Sequence, residues 1–222
     1  MRAGERHGSD ALIRALRDQG VDDPRVLDAF RRTPREGFVP ASHRAEAYED
    51  IPLPIPHGQV TSQPSLIAQM VAALGLTGRE RVLEIGTGLG FQTALLGRLA
   101  REVWSVERYA DLAARSRANL AAAGVPNATV IVGDGTRGLA GHAPYDGVVV
   151  SAAAPEVPAP LAGQLAAGGT PGPAHRHRRR RAGHRFHRAG RTAAERGTGD
   201  VRAFRSPGRK ARALRMTGNS II

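Results

Sequence analysis

The sequence predicts an α/β protein: an open, mostly parallel, doubly wound sheet with N-terminal helices before it and an aberrant, disordered C-terminal tail after it. Three observations carry this expectation. From Arg81 onward, short apolar runs alternate with helical stretches at the spacing of β-α-β units. The apolar runs end at Gly86, at Glu107, at Gly133-Asp134-Gly135 and at Ser151, where an open sheet of this kind places its ligand-binding groups. Charge then divides the chain. Residues 170–222 hold 15 basic residues against 2 acidic ones, a net of +13, whereas residues 1–169 hold 17 bases against 18 acids, a net of −1. The first 169 residues therefore read as an ordinary near-neutral globular chain.

The elements follow in order. Leu12, Ile13 and Leu16 stand at helical spacing over residues 10–19, with Ser9 as a candidate cap. Asp23-Pro24 reads as a second start, a cap followed by proline at the first helical position, with Val26, Leu27 and Phe30 as the apolar stripe. Residues 51–58 alternate proline with aliphatics, which suits extended chain or an edge strand because each proline removes a ladder donor. Residues 64–74 form a helix burying Leu66, Ile67, Met70, Val71 and Leu74. Strands are expected over 81–85, 103–106, 129–132 and 145–150, and helices over 91–100, 110–123 and 161–165. Gly124 is a left-handed stop for the second of these helices.

Composition excludes several classes. No apolar run approaches 18 residues, so no membrane span is expected, and the N-terminus lacks the apolar core of a signal peptide. The absence of cysteine excludes disulfides and thiolate metal sites and fits a cytoplasmic location; no metal is expected.

The strand ends carry the chemistry. Gly86-Thr87-Gly88-Leu89-Gly90 follows a strand and opens a helix, spaced G-x-G-x-G rather than as in dinucleotide binders. Alone it is equally a tight loop. Glu107, 21 residues after Gly86, can accept both hydroxyls of a ribose, or be a solvated surface acid. Asp134 can accept from an adenine amino group, or form an Asx turn before Gly135. Three such ends in order favour a nucleoside. No lysine near the glycine turn serves a phosphate chain, which points to S-adenosyl-L-methionine as cofactor.

The run Val82-Leu83-Glu84-Ile85-Gly86-Thr87-Gly88-Leu89-Gly90-Phe91-Gln92 resembles the cofactor motif of protein-L-isoaspartate (D-aspartate) O-methyltransferases, as do Ser105-Val106-Glu107-Arg108, Gly133-Asp134-Gly135 and Pro144-Tyr145-Asp146. More specific is the upstream stretch Tyr48-Glu49-Asp50-Ile51-Pro52-Leu53-Pro54-Ile55, followed by Gly58-Gln59-Val60-Thr61-Ser62-Gln63-Pro64. Arg35-Glu36-Gly37-Phe38-Val39-Pro40 and Ala152-Ala153-Ala154-Pro155 are also similar. The resemblance covers residues 10–169 and implies a Rossmann-like class I methyltransferase. Its segments would be an N-terminal helical cap with the proline-rich stretch (1–57), the cofactor-binding core (58–169) and a basic low-complexity tail (170–222).

By the same resemblance, a methyl group passes from a sulfonium to the side-chain carboxylate of isoaspartyl or D-aspartyl residues in damaged proteins. That acceptor is ionised at neutral pH, so no strong general base is needed, and positioning carries the catalysis. Ser62 would stand at the transfer site, its hydroxyl bonded to the incoming carboxylate; it could equally cap the helix after Pro64. Glu84 would hold the methionine end of the cofactor and Gly86 and Gly88 its turn. Glu107 would hold the ribose, and Asp134 with Gly135 the adenine. Val60, Thr61 and Gln63 would shape the peptide groove. His57 is a tempting base, but a histidine beside a functional loop is more often incidental. The partners are isoaspartyl peptides and proteins, without a membrane or nucleic acid, and the chain is expected to be a monomer. A related reading is an aspartate O-methyltransferase acting on a ribosomally made peptide. A reading from another class is a nucleic-acid binder using the basic tail around Arg178–Arg181.

The tail is too poor in large apolar residues to offset its ordering entropy. Reading the codons of Gly168–Arg176 one nucleotide later permits Gly-Gly-Arg-Leu-Val-Leu-Pro-Ile, a strand of this family. The same offset over Ala203–Arg209 permits Arg-Phe-Val-Pro-Leu-Val, which resembles its closing strand. A frame change near Gly169 is therefore expected, leaving the sheet without its last strands and the chain less stable and less active.

Overall fold

A computed structural model describes residues 3–152, 158–166 and 202–205. Helices α1 (Ala3–Asp18) and α2 (Pro24–Arg31) lead into a short antiparallel hairpin, β1 (Leu53–Ile55) and β2 (Gln59–Thr61), and then α3 (Pro64–Leu74). The sheet follows: β3 (Arg81–Ile85), α4 (Phe91–Leu99), β4 (Glu102–Glu107), α5 (Ala110–Ala122), β5 (Ala128–Val132) and β6 (Gly147–Val150). The single turn α6 (Ala159–Ala162) and β7 (Arg202–Arg205) complete the described elements. Strand order is β5-β4-β3-β6-β7, parallel except for β7. The chain leaves β3 in one direction toward β4 and β5 and later returns to β3's other side as β6. This switch opens a crevice beyond the carboxyl end of β3.

Local chemistry sets the boundaries. Asp23 caps α2 by accepting from the amides of Arg25 (2.9 Å) and Val26 (3.4 Å), with Pro24 at the first helical position. Gly75 closes α3 at φ 55° and Gly124 follows α5 at φ 65°, where only glycine avoids a Cβ penalty. The proline-rich stretch becomes the hairpin, with Leu53 and Ile55 buried and Pro54 exposed between them.

The N-terminal helices share one core with the sheet. Leu16 of α1, Leu27 of α2 and Leu74 of α3 join Val82 of β3, Leu95 of α4 and Val103 of β4. Phe91 is its aromatic node, edge-on to Phe30 (5.6 Å, 82°) and tilted against Phe38 (5.7 Å). Among the described residues no helix is long and apolar enough to cross a membrane.

Three expectations are corrected. Ser9 does not cap a helix: α1 starts at Ala3 and buries Ser9 inside its length. The helix expected over 161–165 is one turn at Ala159–Ala162, because the chain must return to pair Leu165 with Tyr145. The tail is not wholly without regular structure. Arg202–Arg205 pairs antiparallel with β6, Gly147 opposite Arg205 and Val150 opposite Arg202. Backbone pairing along an exposed strand edge requires no particular side chain, so a segment poor in apolar residues can still make it. The rest of the tail, with Gly169 and Arg178–Arg181, lies outside the described residues.

Leu95 is fully buried between the helical layer and the sheet. Leu95→Ala is expected to cost about 2–5 kcal/mol in urea unfolding. A loss well under 1 kcal/mol would show that the two layers do not share this core.

Candidate functional site

The crevice at the switch point has a volume of about 370 Å³. Its floor is the turn after β3. Gly86, Gly88 and Gly90 take φ of 93°, 57° and 92°, and a Cβ at Gly86 would stand 3.0 Å from the Ala152 amide nitrogen. Gly135 is fixed by space: a Cβ there would overlap Ile85 Cγ2 at 2.3 Å.

Glu107 ends β4 at the crevice wall, 6% exposed, with Oε2 accepting from the Gly88 amide (2.8 Å) and Oε1 from the Tyr109 amide (3.0 Å). Its carboxylate therefore points along the glycine turn. Asp134 follows β5 on the same crevice. Its Oδ1 accepts from the Thr136 amide (3.0 Å) and hydroxyl (2.8 Å), an Asx turn. Those bonds from Thr136 hold its carboxyl below the usual range. Val60, Thr61 and Ser62 line the same crevice, so Ser62, Glu107 and Asp134 border one space. Ser62 does not cap α3. Gln63 holds the cap position, and Asp50 reaches across to accept from the Ser65 amide (2.7 Å).

Two expected residues stand elsewhere. Gln63 does not line the crevice; its amide donates to Asp50 Oδ2 and Ser65 Oγ, both at 3.0 Å. Glu84 is fully buried behind the glycine turn. Its Oε1 accepts from Gln92 Nε2 (2.9 Å), and its Oε2 from the hydroxyls of Thr93 (2.5 Å) and Ser105 (2.7 Å). Gln92 continues to Ser151 Oγ (2.6 Å), and Ser105 pairs with Thr87 in the turn (2.5 Å). Burial pushes the Glu84 carboxyl up to about 7; the bonds from Thr93, Ser105 and Gln92 oppose the shift, and the nearby Glu107 charge adds to it. His57 lies outside the crevice lining at φ 64°, stacked on Tyr109 (4.0 Å) and bonded to Asp111 (2.8 Å). Among the described residues no cluster of His, Cys, Asp and Glu could hold a metal.

The sequence reading missed the partners of Glu84. Gln92 stood in the quoted motif without a role, and Thr93 and Ser105 carried no signal that they face one buried carboxylate. It also missed Arg35, whose guanidinium donates to the Ser62 carbonyl (3.2 Å).

The family described as protein-L-isoaspartate(D-aspartate) O-methyltransferase matches residues 7–172. The chain belongs to this family. A protein-L-isoaspartate O-methyltransferase of Methanoculleus marisnigri is 54% identical over 154 residues, 69% of this chain and 70% of that one. One of Anaeromyxobacter dehalogenans is 54% identical over 162 residues, 72% and 78% of the two chains. A solved protein-L-isoaspartate O-methyltransferase superposes with a TM-score of 0.70 at 26% identity, covering 96% of this chain and 65% of its own. A Plasmodium falciparum structure, a putative member in complex with S-adenosyl-L-homocysteine, superposes with a TM-score of 0.66 at 20% identity, covering 95% and 96%.

Glu84 makes stability depend on pH. An unfolded glutamate ionises near 4.5 and the folded one near 7, so between these values the unfolded chain has released a proton that the folded chain keeps. Stability therefore falls as pH rises from 4.5 to 7 and is level above. Glu80 works in another window. Burial opposes the shift, but hydrogen bonds from Thr77 and Arg79 hold it at about 2, so its contribution is lost only as pH falls below 4.5. The melting temperature is expected to drop between pH 5 and 8, and Glu84→Gln to flatten that drop. Parallel curves for the two proteins would assign the titration to another group.

Proposed function

We propose that this chain transfers a methyl group from S-adenosyl-L-methionine to the side-chain carboxylate of isoaspartyl and D-aspartyl residues in damaged proteins. The observation that carries the reading is that Ser62, Glu107 and Asp134, from three separate segments, line one crevice beyond β3. The donor set suits a nucleoside. Glu107 keeps lone pairs for ribose hydroxyls after binding the Gly88 and Tyr109 amides. Asp134 keeps Oδ2 for the adenine edge, and Ile85, Val106 and Leu112 supply apolar wall. Gly86, Gly88 and Gly135 let the backbone approach the ligand.

When bound, the cofactor supplies an electrophilic methyl on a sulfonium, and the C–S electron pair stays on sulfur as the methyl ester forms. The residues supply placement. The Ser62 hydroxyl donates to one oxygen of the acceptor carboxylate and aims the other along the transfer axis. Val60 and Thr61 shape the groove. Gln63 acts one step back, tying Asp50 to the start of α3. Glu84, caged by three side-chain donors, holds the floor of the turn from behind instead of holding the cofactor directly. The acceptor is ionised at neutral pH, so the reaction asks no side chain for a proton, and His57 has no part in it. The reading includes a monomer in the cytosol, acting without nucleic acid.

Calorimetry with S-adenosyl-L-homocysteine, then methyl-ester formation on matched peptides, tests the reading. Methylation of the isoaspartyl peptide is expected, with the aspartyl peptide left unmodified; the reverse preference would overturn it. Ser62→Ala is expected to lower kcat/KM about 10- to 150-fold, the worth of a hydrogen bond to a charged group. Unchanged turnover would remove Ser62 from the mechanism.

The family match ending at residue 172 supports a change of reading frame near Gly169. Stop codons or polar residues in the offset frame of the gene would refute that change. A frame-restored chain is expected to unfold at higher temperature and turn over faster than this one; equal turnover in both would count against any effect of the tail on activity.

A further inference from the structure

Arg35 is a buried cation that makes no salt bridge among the described residues. Its side chain is fully enclosed, and its Nη1 donates to the carbonyls of Ala47 (3.2 Å) and Glu49 (3.0 Å). Its Nη2 donates to the carbonyls of Ile51 (3.0 Å) and Ser62 (3.2 Å). Nε finds no partner among the described residues. One guanidinium face lies 5.8 Å from the centre of the Phe91 ring, at the first turn of α4. Burial lowers its pKa to about 10, against a raising influence from Asp50, so it stays charged at neutral pH.

A buried charge with one donor unmet is a costly way to fill space, and an apolar side chain of similar volume often serves stability as well. What the guanidinium adds is geometry. Its fixed fork ties the irregular segment 47–51 to the single residue Ser62. Ser62 lies between two other anchors. Thr61 before it pairs with Leu53 in the hairpin, and Ser65 after it is capped by Asp50. Among the described residues, only the bond from Arg35 reaches Ser62's own backbone. The cofactor-facing groups, by contrast, sit on ends of β3, β4 and β5 that the sheet ladder holds.

We propose that Arg35 is a positioning residue for the acceptor half of the site: it holds the carbonyl of Ser62 so that the hydroxyl faces the crevice, and it has no part in cofactor binding. This rests on the role given to Ser62 above. The test is a double-mutant cycle of Arg35→Lys and Ser62→Ala, read by isoaspartyl-peptide kinetics and by S-adenosyl-L-homocysteine calorimetry. Arg35→Lys keeps the charge but loses the fork. Arg35→Lys alone is expected to lower kcat about tenfold or more with the Kd for S-adenosyl-L-homocysteine within about twofold, and to add less than about threefold in the Ser62→Ala background. A full, additive loss in that background, or a parallel loss of cofactor affinity, overturns the proposal. Wild-type turnover in Ser62→Ala alone overturns instead the role of Ser62, on which the proposal depends. Hydrogen exchange tests the same coupling without turnover. Arg35→Lys is expected to raise exchange across residues 59–62 about tenfold and to leave 84–88 and 105–107 within about twofold. Equal rises in both regions, or none in either, overturn the proposal.

Discussion

The site depends on how the chain leaves β3. At Gly86 the backbone turns left-handed at φ 93° while remaining tied to both neighbouring strands. The Gly86 amide donates to Val106 (2.8 Å), and the amides of Ser151 (2.8 Å) and Ala152 (3.2 Å) donate to Ile85. Three strand ends are thereby locked together at the point where the sheet changes direction. The exit conformation and the nearness of Ala152 both forbid a side chain there. Because β4 and β6 lie on opposite sides of β3, the chains following them diverge, and the space they leave is the crevice. Glu107 then binds back onto the turn through Gly88, so a residue that lines the crevice also stabilises the turn at its floor.

Two buried ionisable side chains hold this arrangement from opposite sides. Glu84, behind the turn, gathers donors from β4 and α4. Arg35 gathers carbonyls from the segment leading into the hairpin and from Ser62 after it. Neither pairs with the other, and each is satisfied mainly by neutral dipoles. Each favours a particular arrangement of backbone or side chains around it at a desolvation cost that apolar residues would not incur. Phe91 joins the two regions: it opens the helix that carries Gln92 and Thr93, and its ring faces the Arg35 guanidinium.

What the sequence revealed follows the range of the interactions involved. The Asp23-Pro24 cap, the helix over 64–74 and the stop at Gly124 are decided within a few residues, and each was legible. The parallel strands were legible, though not their order in the sheet, because a parallel sheet buried on both faces writes continuous apolar runs. The same property hid the direction of Glu84. In Val82-Leu83-Glu84-Ile85 both faces are apolar, so nothing says whether the acid looks into the crevice or behind it. Arg35 was illegible for a related reason. Its four acceptors lie 12 to 27 residues away and are carbonyls, which every residue has. Gln63 was read as groove from the resemblance, and the contacts that turn it away, to Asp50 and Ser65, include one 13 residues off that the local sequence does not show.

The outer edge of β6 shows how far backbone pairing goes without the usual sequence. Its approach is met by residues 164–166, where the Tyr145 amide donates to Gln164 (2.9 Å) and the Ala166 amide to Tyr145 (2.8 Å). That contact is parallel and has the direction of a further strand. From Gly147 the partner is instead β7, antiparallel and drawn from the far end of the chain. The edge is closed by whichever segment supplies amides and carbonyls in register. Such closure satisfies the backbone of β6 without depending on side-chain pattern. The crevice-lining ends of β3, β4 and β5 are held in turn by the parallel ladder that joins β5, β4, β3 and β6.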